Sequence, residues 1–403
     1  MIACPSQQTQ PNPLLTHPMS MRQILTLPLR SAASGLLIAT ALGTAAAQAN
    51  PANLPPFVNC SAQTAGAEPT DIRIAAVGDL VFADNAQINR PTFKDFLPQL
   101  AQADLAMGNL EGAITTHPTA RKAYVPGRSY AFRFPVETAD LLKKANFHIL
   151  SIANNHTNDY GPIGFADTQQ HLSAAGLEFT GLKDSHVIRT VKGLRVGVIA
   201  LAHYPVYNNV LDIEGTAKLV AQVRSKSDIV VLFYQLGGEG DSHALLSNDD
   251  AVFLGEQRGN ARKFAAAMVK AGASALIGHG PHLVRAAECI SGVPVLHSIG
   301  NFVGAGGLSI RSLANVTVFA ELIFNGEGQF KGVRLTPTTF DKDRLPILDD
   351  TGRALHLINW FNRQASKSLS GFEALNFTGY EQQAETFRKW FRSTPFGAQA
   401  PND

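Results

Sequence analysis

The sequence predicts an α/β layered domain, and three observations carry that reading. Short apolar runs rich in β-branched residues alternate with helical patterns along most of the chain. A hairpin signal follows them, and one after another the apolar runs end on acidic, amide or imidazole residues.

In chain order, strands are predicted over residues 72–77, 105–107, 147–152, 194–201, 229–234, 275–277, 293–298 and 316–324, each a short apolar stretch bounded by turn residues. Between them, helical spacing places helices over 92–102, 136–145, 164–175, 216–225 and 257–271, the last with Phe264, Met268 and Val269 on one face. Residues 316–324 and 330–336 flank Asn325-Gly326-Glu327-Gly328, which reads as a hairpin and adds an antiparallel element. After Pro337 the pattern changes to two amphipathic helices near 352–364 and 379–390.

Ahead of the first strand, Arg22 and Arg30 precede an apolar run from Ala32 to Ala45, closed by Ala45-Ala46-Ala47. That order of charge, apolar core and small residues predicts a secretory signal peptide starting near residue 21 and cut near Ala47. The run is shorter than the roughly 18–20 residues that span a bilayer, so an N-terminal membrane anchor is the alternative reading. The expected organisation is a leader over 1–47, a Pro/Ala-rich linker over 48–70, an α/β domain over 71–338 and a helical extension over 339–403. An exported protein would occupy the periplasm or another extracytoplasmic space. Cys4 is lost with the leader, leaving Cys60 and Cys289 either to pair in an oxidising compartment or to remain two thiols, with Cys289 a small buried hydrophobe.

Composition narrows the function class. With 34 Lys+Arg against 32 Asp+Glu the formal charge is +2, which argues against a dedicated nucleic-acid binder. A charged fraction of 16% alongside 34 Gly and 22 Pro argues against a coiled coil or a wholly disordered chain. No Gly-x-Gly-x-x-Gly follows the first strand, where Gly78-Asp79-Leu80-Val81 stands, and no Gly-x-Ser-x-Gly supports a serine hydrolase.

In open α/β sheets ligands bind beyond the carboxyl ends of the strands, so the residues after each apolar run are the candidates. They are Gly78-Asp79; Gly108-Asn109-Leu110-Glu111; Asn154-Asn155-His156-Thr157-Asn158-Asp159; Gln235-Leu236-Gly237-Gly238-Glu239; and Gly278-His279-Gly280-Pro281-His282. Carboxylate, amide and imidazole without thiolate suit a divalent ion such as Mn²⁺, Fe²⁺ or Zn²⁺. Two such ions about 3.5–4 Å apart could polarise a phosphoryl or acyl oxygen and activate water. Taken singly each residue has a structural reading as well: Asp79 as a cap or Asx turn, Asn154 and Asn155 as turn residues, His279 and His282 as flanks of a Gly-Pro turn.

These motifs in this order, together with Tyr130-Ala131-Phe132-Arg133 and Ser298-Ile299-Gly300-Asn301-Phe302, resemble the bacterial capsule synthesis protein CapA family of the calcineurin-like metallophosphatase superfamily, from about residue 72 to about 336. The resemblance implies a four-layer α/β/β/α sandwich and an association with poly-γ-glutamate capsule. It places Asp79, Glu111, Asn155, His279 and His282 as metal ligands, with Glu111 as the bridging carboxylate. His156 is implied as proton donor to a leaving group and Asp159 as the group orienting it, with Asn109, Gln235, Glu239 and Asn301 as further ligands or supports. Where the superfamily has a His two residues after the first Asp, this chain has Val81; where the family has His-Trp-Gly, it has Gln235-Leu236-Gly237. An amide is a poorer ligand than imidazole for such ions, so Gln235 puts one of two metal sites in question.

Arg133 is a candidate for pairing with an anionic substrate, although a structural ion pair would account for it too. Tyr204 and Tyr207, with the tail aromatics Trp360, Phe361, Trp390 and Phe391, read as packing. Two functions follow from the resemblance: an exported metal-dependent hydrolase or transferase on an anionic envelope polymer such as poly-γ-glutamate, or on its precursor; and a non-catalytic factor of capsule assembly or export with a degenerate metal site. Membrane proteins of capsule synthesis or export are the implied partners.

Overall fold

The computed structural model describes residues 54–82, 91–123 and 130–399, so the expected leader and its cleavage site lie outside the described residues. The first strands along the chain are β1 (Phe57–Val58), β2 (Thr64–Ala65), β3 (Ile72–Val81), β4 (Leu105–Leu110), β5 (Ala113–Ile114), β6 (Arg133–Phe134), β7 (Ile149–Ser151) and β8 (Glu178–Thr180). Next come β9 (Val187–Val191), β10 (Leu194–Leu201), β11 (Ile229–Gln235), β12 (Ala251–Phe253), β13 (Glu256–Gly259), β14 (Ala275–His279), β15 (Ala287–Ile290) and β16 (Val293–Leu296). β17 (Asn301–Gly304), β18 (Thr317–Phe324), β19 (Phe330–Phe340) and β20 (Pro346–Leu348) complete the set. The helices are α1 (Leu97–Gln102), α2 (Thr138–Lys144), α3 (Gly161–Ala174), α4 (Ile213–Arg224), α5 (Ala261–Lys270), α6 (Arg353–Ser368) and α7 (Ala384–Phe391).

Two sheets carry the fold. The larger has the path β2-β1-β19-β18-β3-β4-β7-β8, with β17 against β3 and β20 against β19; the smaller runs β15-β16-β14-β11-β10-β9. Period-two patterning decides which way each strand looks. In β3, Ile72, Ile74 and Ala76 enter a core shared with Val198, Val231 and Ile277 of the smaller sheet, while Ala75 and Val77 face outward to Leu100, Leu142 and Leu172 of α1, α2 and α3. β11 does the same: Ile229, Val231 and Phe233 point between the sheets, and Val230, Leu232 and Tyr234 meet α4 and α5 through Val220, Val223, Phe264 and Met268. The layers are therefore helix, sheet, sheet, helix, the four-layer sandwich the sequence implies.

Several boundaries differ from the sequence reading; β3, β14 and β19 run past their expected ends to Val81, His279 and Phe340, and β20 of the larger sheet lies within the expected helical extension. Residues 57–65, read as linker, form β1 and β2 at the edge of the larger sheet, with Phe57 and Val58 buried. The helix expected from residue 257 starts at Ala261 because Asn260 caps it, its side chain accepting from the Lys263 N–H, and the preceding residues pair as β13 with β12. The helix expected from residue 92 is preceded by tight turns and starts at Leu97, with Pro98 in its first turn. Gly108-Asn109-Leu110 continues β4 rather than following it.

Cys60 and Cys289 form a disulfide that ties the β1–β2 edge to β15 of the other sheet. The C-terminal helices close the same end. α6 buries Leu357, Ile358, Trp360 and Phe361 in the inter-sheet core, Trp360 meets Phe391 of α7, and Asn362 Oδ1 accepts from the Ala287 N–H. Among the described residues no helix is long and apolar enough to cross a membrane.

Candidate metal centre and cleft

The register of the larger sheet sets three polar side chains in a row. Asp79 of β3 is paired with Asn109 of β4 on one side and with Asn301 of β17 on the other. In the smaller sheet the last residue of β11, Gln235, pairs with the last residue of β14, His279. Asp79, Asn109, Gln235 and His279 sit at or near carboxyl ends of parallel strands, the place where an α/β sheet exposes ligand-binding groups, and Asn301 joins them from the first residue of β17. Gly78 makes the approach possible: a Cβ there would stand 1.7 Å from the Gly300 carbonyl oxygen, which accepts from the Asp79 N–H.

Asp79 is fully buried. Its Oδ1 lies 3.0 Å from His279 Nδ1 and 2.8 Å from Asn109 Nδ2, and its Oδ2 lies 3.0 Å from His282 Nδ1. Asn109 also donates to Glu111 Oε2 at 2.8 Å and accepts from Asn154 Nδ2, so one amide holds two carboxylates in place. His282 Nδ1 lies 2.9 Å from Asn301 Oδ1 and its Nε2 lies 3.8 Å from Glu239. His282 has φ 65°, a left-handed conformation that costs a side-chain-bearing residue about 1–2 kcal/mol. Its imidazole is aimed at Asp79 from that position.

Burial alone would raise the Asp79 carboxyl, yet hydrogen bonds from His279 and His282 and their charges hold it well below the usual carboxylate range. Glu111 goes the other way, pushed well up by burial and by the neighbouring Asp79 charge. Burial disfavours charged His282, but the Asp79 hydrogen bond with the Glu111 and Asp79 charges outweighs it and lifts the imidazole to about 10. Two carboxylates buried together need positive charge between them, from protons or from a cation.

The donor set fits a cation. Asp79, Glu111 and His282 each offer a ligand atom within 4.8 Å of the other two. Glu111 Oε1, His279 Nε2 and Gln235 Oε1 are buried polar atoms without a hydrogen-bond partner, in a protein whose buried polar atoms are otherwise mostly satisfied. Asn155 is brought to the cluster differently from its neighbours: Gln235 Nε2 donates to its Oδ1 at 2.9 Å, so the amide standing where the family has imidazole takes up one lone pair of that oxygen.

Beside this cluster lies the His156 and Asp159 pair, with Nδ1 2.7 Å from Oδ2. Asp159 also accepts from the Phe132 N–H at 2.8 Å and pairs with Lys122 at 3.3 Å, which fixes it from three sides. His156 Nδ1 also lies 3.3 Å from Lys122 Nζ, which can only donate; the 2.7 Å contact to the Asp159 carboxylate is the shorter of the two and favours the hydrogen on Nδ1, with Nε2 left for other chemistry. Burial pushes the imidazole down, with Asp159 acting against it.

A cleft of about 950 Å³ joins Asn155, His156, Asp159, Glu239 and His282. Arg133 does not line it. That residue is exposed in β6, donates to the His117 carbonyl and lies over the Tyr160 ring, whereas Arg121 and Lys122 face the cleft. The sequence reading also missed part of the wall. Tyr207 is buried with Ala153, Ala200 and Ala202 and Tyr204 packs against them, as expected of packing residues, and both also line the cleft along with Glu256 and Arg258 of β13. Arg258 is nearly buried and binds Glu239 and Glu256, each at 2.9 Å, while Tyr204 OH donates to Glu256. The one sequence signal for this wall was Glu239, which stood without an assigned partner.

The family model described as bacterial capsule synthesis protein PGA_cap matches residues 73–305. The PGA biosynthesis protein CapA of Bacillus subtilis (strain 168) is 27% identical over 270 residues, covering 62% of this chain and 67% of that protein. The capsule biosynthesis protein CapA of Bacillus anthracis is 26% identical over 263 residues, covering 59% of this chain and 60% of that protein. Among solved structures, a putative 5'-nucleotidase from Staphylococcus aureus aligns with a TM-score of 0.41 at 16% identity, over 73% of this chain and 58% of its own.

Proposed function

This chain belongs to the bacterial capsule synthesis protein family PGA_cap, and from that premise we propose that it is an exported, divalent-metal-dependent hydrolase or transferase acting on an anionic envelope polymer or its precursor. The names of the two Bacillus relatives make poly-γ-glutamate the first polymer to test. The observation that carries the reading is the set of buried, unpartnered ligand atoms, Glu111 Oε1, His279 Nε2 and Gln235 Oε1, in the cluster of Asp79 and His282, the last of which lines the cleft. A disulfide between Cys60 and Cys289 supports an oxidising destination.

Asp79, Glu111 and His282 are the proposed ligands, with His279 Nε2 and the Gln235 and Asn155 carbonyl oxygens available to a second site. A bound divalent ion would supply Lewis-acid polarisation of a phosphoryl or acyl oxygen and a lower pKa for attacking water. Asn109 keeps both carboxylates in register, and Asn301 and the left-handed backbone keep His282 turned inward. His156 is the proposed proton donor through Nε2. Asp159 holds its tautomer through Nδ1–H and stabilises the imidazolium, and Lys122 in turn holds Asp159. Glu239, fixed by Arg258, presents its second oxygen toward His282.

A second reading rests on the Gln235 contact. Because Gln235 engages Asn155 Oδ1, a protein that keeps one ion only for structure and uses the cleft to hold polymer is the alternative. Metal analysis of the purified protein separates the two, followed by hydrolysis assays on poly-γ-glutamate and on generic phosphodiesters with Asp79→Ala and His156→Ala. Stoichiometric metal with activity lost in both variants supports the enzyme. A protein free of transition metal that still supports capsule formation overturns it.

A further inference from the structure

The walls of the cleft do not match a wholly polar ligand. Among the described residues eight large apolar side chains are exposed, and five of them, Val206, Leu211, Leu245, Val252 and Leu254, come from two neighbouring stretches, 206–211 and 245–254. Leu254 at the tip of the β12–β13 hairpin is 85% exposed and Val206 is 51% exposed. Both line the cleft, together with Tyr204, Pro205, Phe253 and Leu308. Exposed apolar side chains gathered in one cleft among polar groups mark a place where something apolar is received.

We propose that the cleft takes an anionic amphiphile: a phosphate or carboxylate head at the metal centre, beside Lys122 and Arg121, carrying a linear hydrocarbon chain along Tyr204–Val206 and Phe253–Leu254. This names the substrate class of the site and rests on the reading of that site as a metal centre. Charge complementarity fixes the head. Arg258 is neutralised by Glu239 and Glu256 and Lys122 is paired with Asp159, so a cation at Asp79 and Glu111 and the exposed Arg121 are what attract an anion. The outermost members of the wall, Val206 and Leu254, are aliphatic, which favours a flexible chain over a flat ring. Asp249, Asp250 and Glu256 around the hairpin would repel an anionic bilayer, which favours a single molecule seated in the cleft over membrane docking.

Isothermal titration of the mature, Mn²⁺-loaded protein with inorganic phosphate, phenyl phosphate and dodecyl phosphate below its micelle concentration tests this. Each methylene buried multiplies affinity about fourfold, so dodecyl phosphate should bind about tenfold or more tighter than either short ligand. The double substitution Val206→Asn, Leu254→Asn should remove that increment while the melting temperature stays the same, both side chains being at the surface. Equal affinity for dodecyl and inorganic phosphate, equal affinity for phenyl and dodecyl phosphate, or binding only to phosphatidylglycerol vesicles overturns the amphiphile and leaves the metal centre standing. Failure to bind inorganic phosphate and Mn²⁺ at all overturns both.

Discussion

Glu288 and His297 meet at 2.8 Å, buried at the edge of the smaller sheet, and Asp79 meets the equally buried His279 and the partly exposed His282 at 3.0 Å, where the two sheets converge. The residue types and distances are nearly the same, yet the surroundings differ. Both Glu288 oxygens are engaged, one by His297 and both by Arg262, whose guanidinium also donates to the Ser370 and Gly371 carbonyls. One carboxylate thus stands between an imidazole and a guanidinium and fastens the C-terminal segment to the core. At Asp79 a second carboxylate is added in place of the guanidinium, and a carboxylate oxygen, Glu111 Oε1, is left over with the imidazole nitrogen His279 Nε2, whereas at Glu288 both carboxylate oxygens are engaged and only His297 Nδ1 is left over. A buried ion pair alone says little about function; an excess of like charge with unspent ligand atoms, opening on a cleft, says much more.

Substitutions can break or sharpen this contrast. Asp79→Asn should have the largest effect, removing bound metal and lowering any hydrolysis by more than the about 100-fold that follows loss of a group standing behind a ligand, with the fold retained by circular dichroism. Glu288→Ala should do the reverse, leaving metal stoichiometry alone while costing about 3–5 kcal/mol in denaturant unfolding, since His297 and Arg262 lose their counter-charge inside the protein. If Glu288→Ala strips the metal, the two clusters are not separable and the comparison fails.

Their pH signatures should be opposite in the metal-stripped protein. Burial raises Glu288, but the hydrogen bond and charge of His297 and those of Arg262 bring it below its ordinary value of 4.5, so its contribution is present above that value and is lost as pH falls through the lower folded pKa. Glu111 is held well above 4.5 by burial and the Asp79 charge, so its contribution is present below 4.5 and is lost as pH rises through the folded pKa. Thermal melts at pH 7 with chelator should therefore show Glu111→Gln raising the melting temperature and Glu288→Gln lowering it. The smallest effect is expected of Gln235→His, which frees Asn155 Oδ1 and should raise metal stoichiometry toward two; no change in metal content would mean that Gln235 is not what limits the second position.

The α/β layering was legible because its central strands, such as 72–77 and 229–234, are nearly continuous apolar runs with helices between them, whereas the four-layer sandwich was implied only by the family resemblance. Asp79, Asn109, Glu111, Gln235, His279 and His282 were legible because each ends such a run. The wall of the cleft was not. Strands β12 and β13 are three and four residues long and open onto exposed apolar side chains, so the periodicity that marks buried strands is absent and residues 257–259 were absorbed into the helix that follows. Tyr204 and Tyr207 lie in a loop whose place opposite Glu256 and Arg258 depends on strands far away in sequence. Arg133 and Lys122 are both cations near family motifs, and only the turn of β6 decides that the first faces solvent while the second reaches Asp159.

The bond between Cys60 and Cys289 closes a covalent ring whose ends are 229 positions apart, and that ring encircles Asp79, Glu111, Asn155, His279 and His282 together with the hairpin tip at Leu254. A protease that nicks the chain at that protruding tip would yield two fragments that migrate as one on a gel until reductant is added. Oxidation is thus a form of insurance: while the disulfide stands, the halves that supply the ligands cannot drift apart after a single scission.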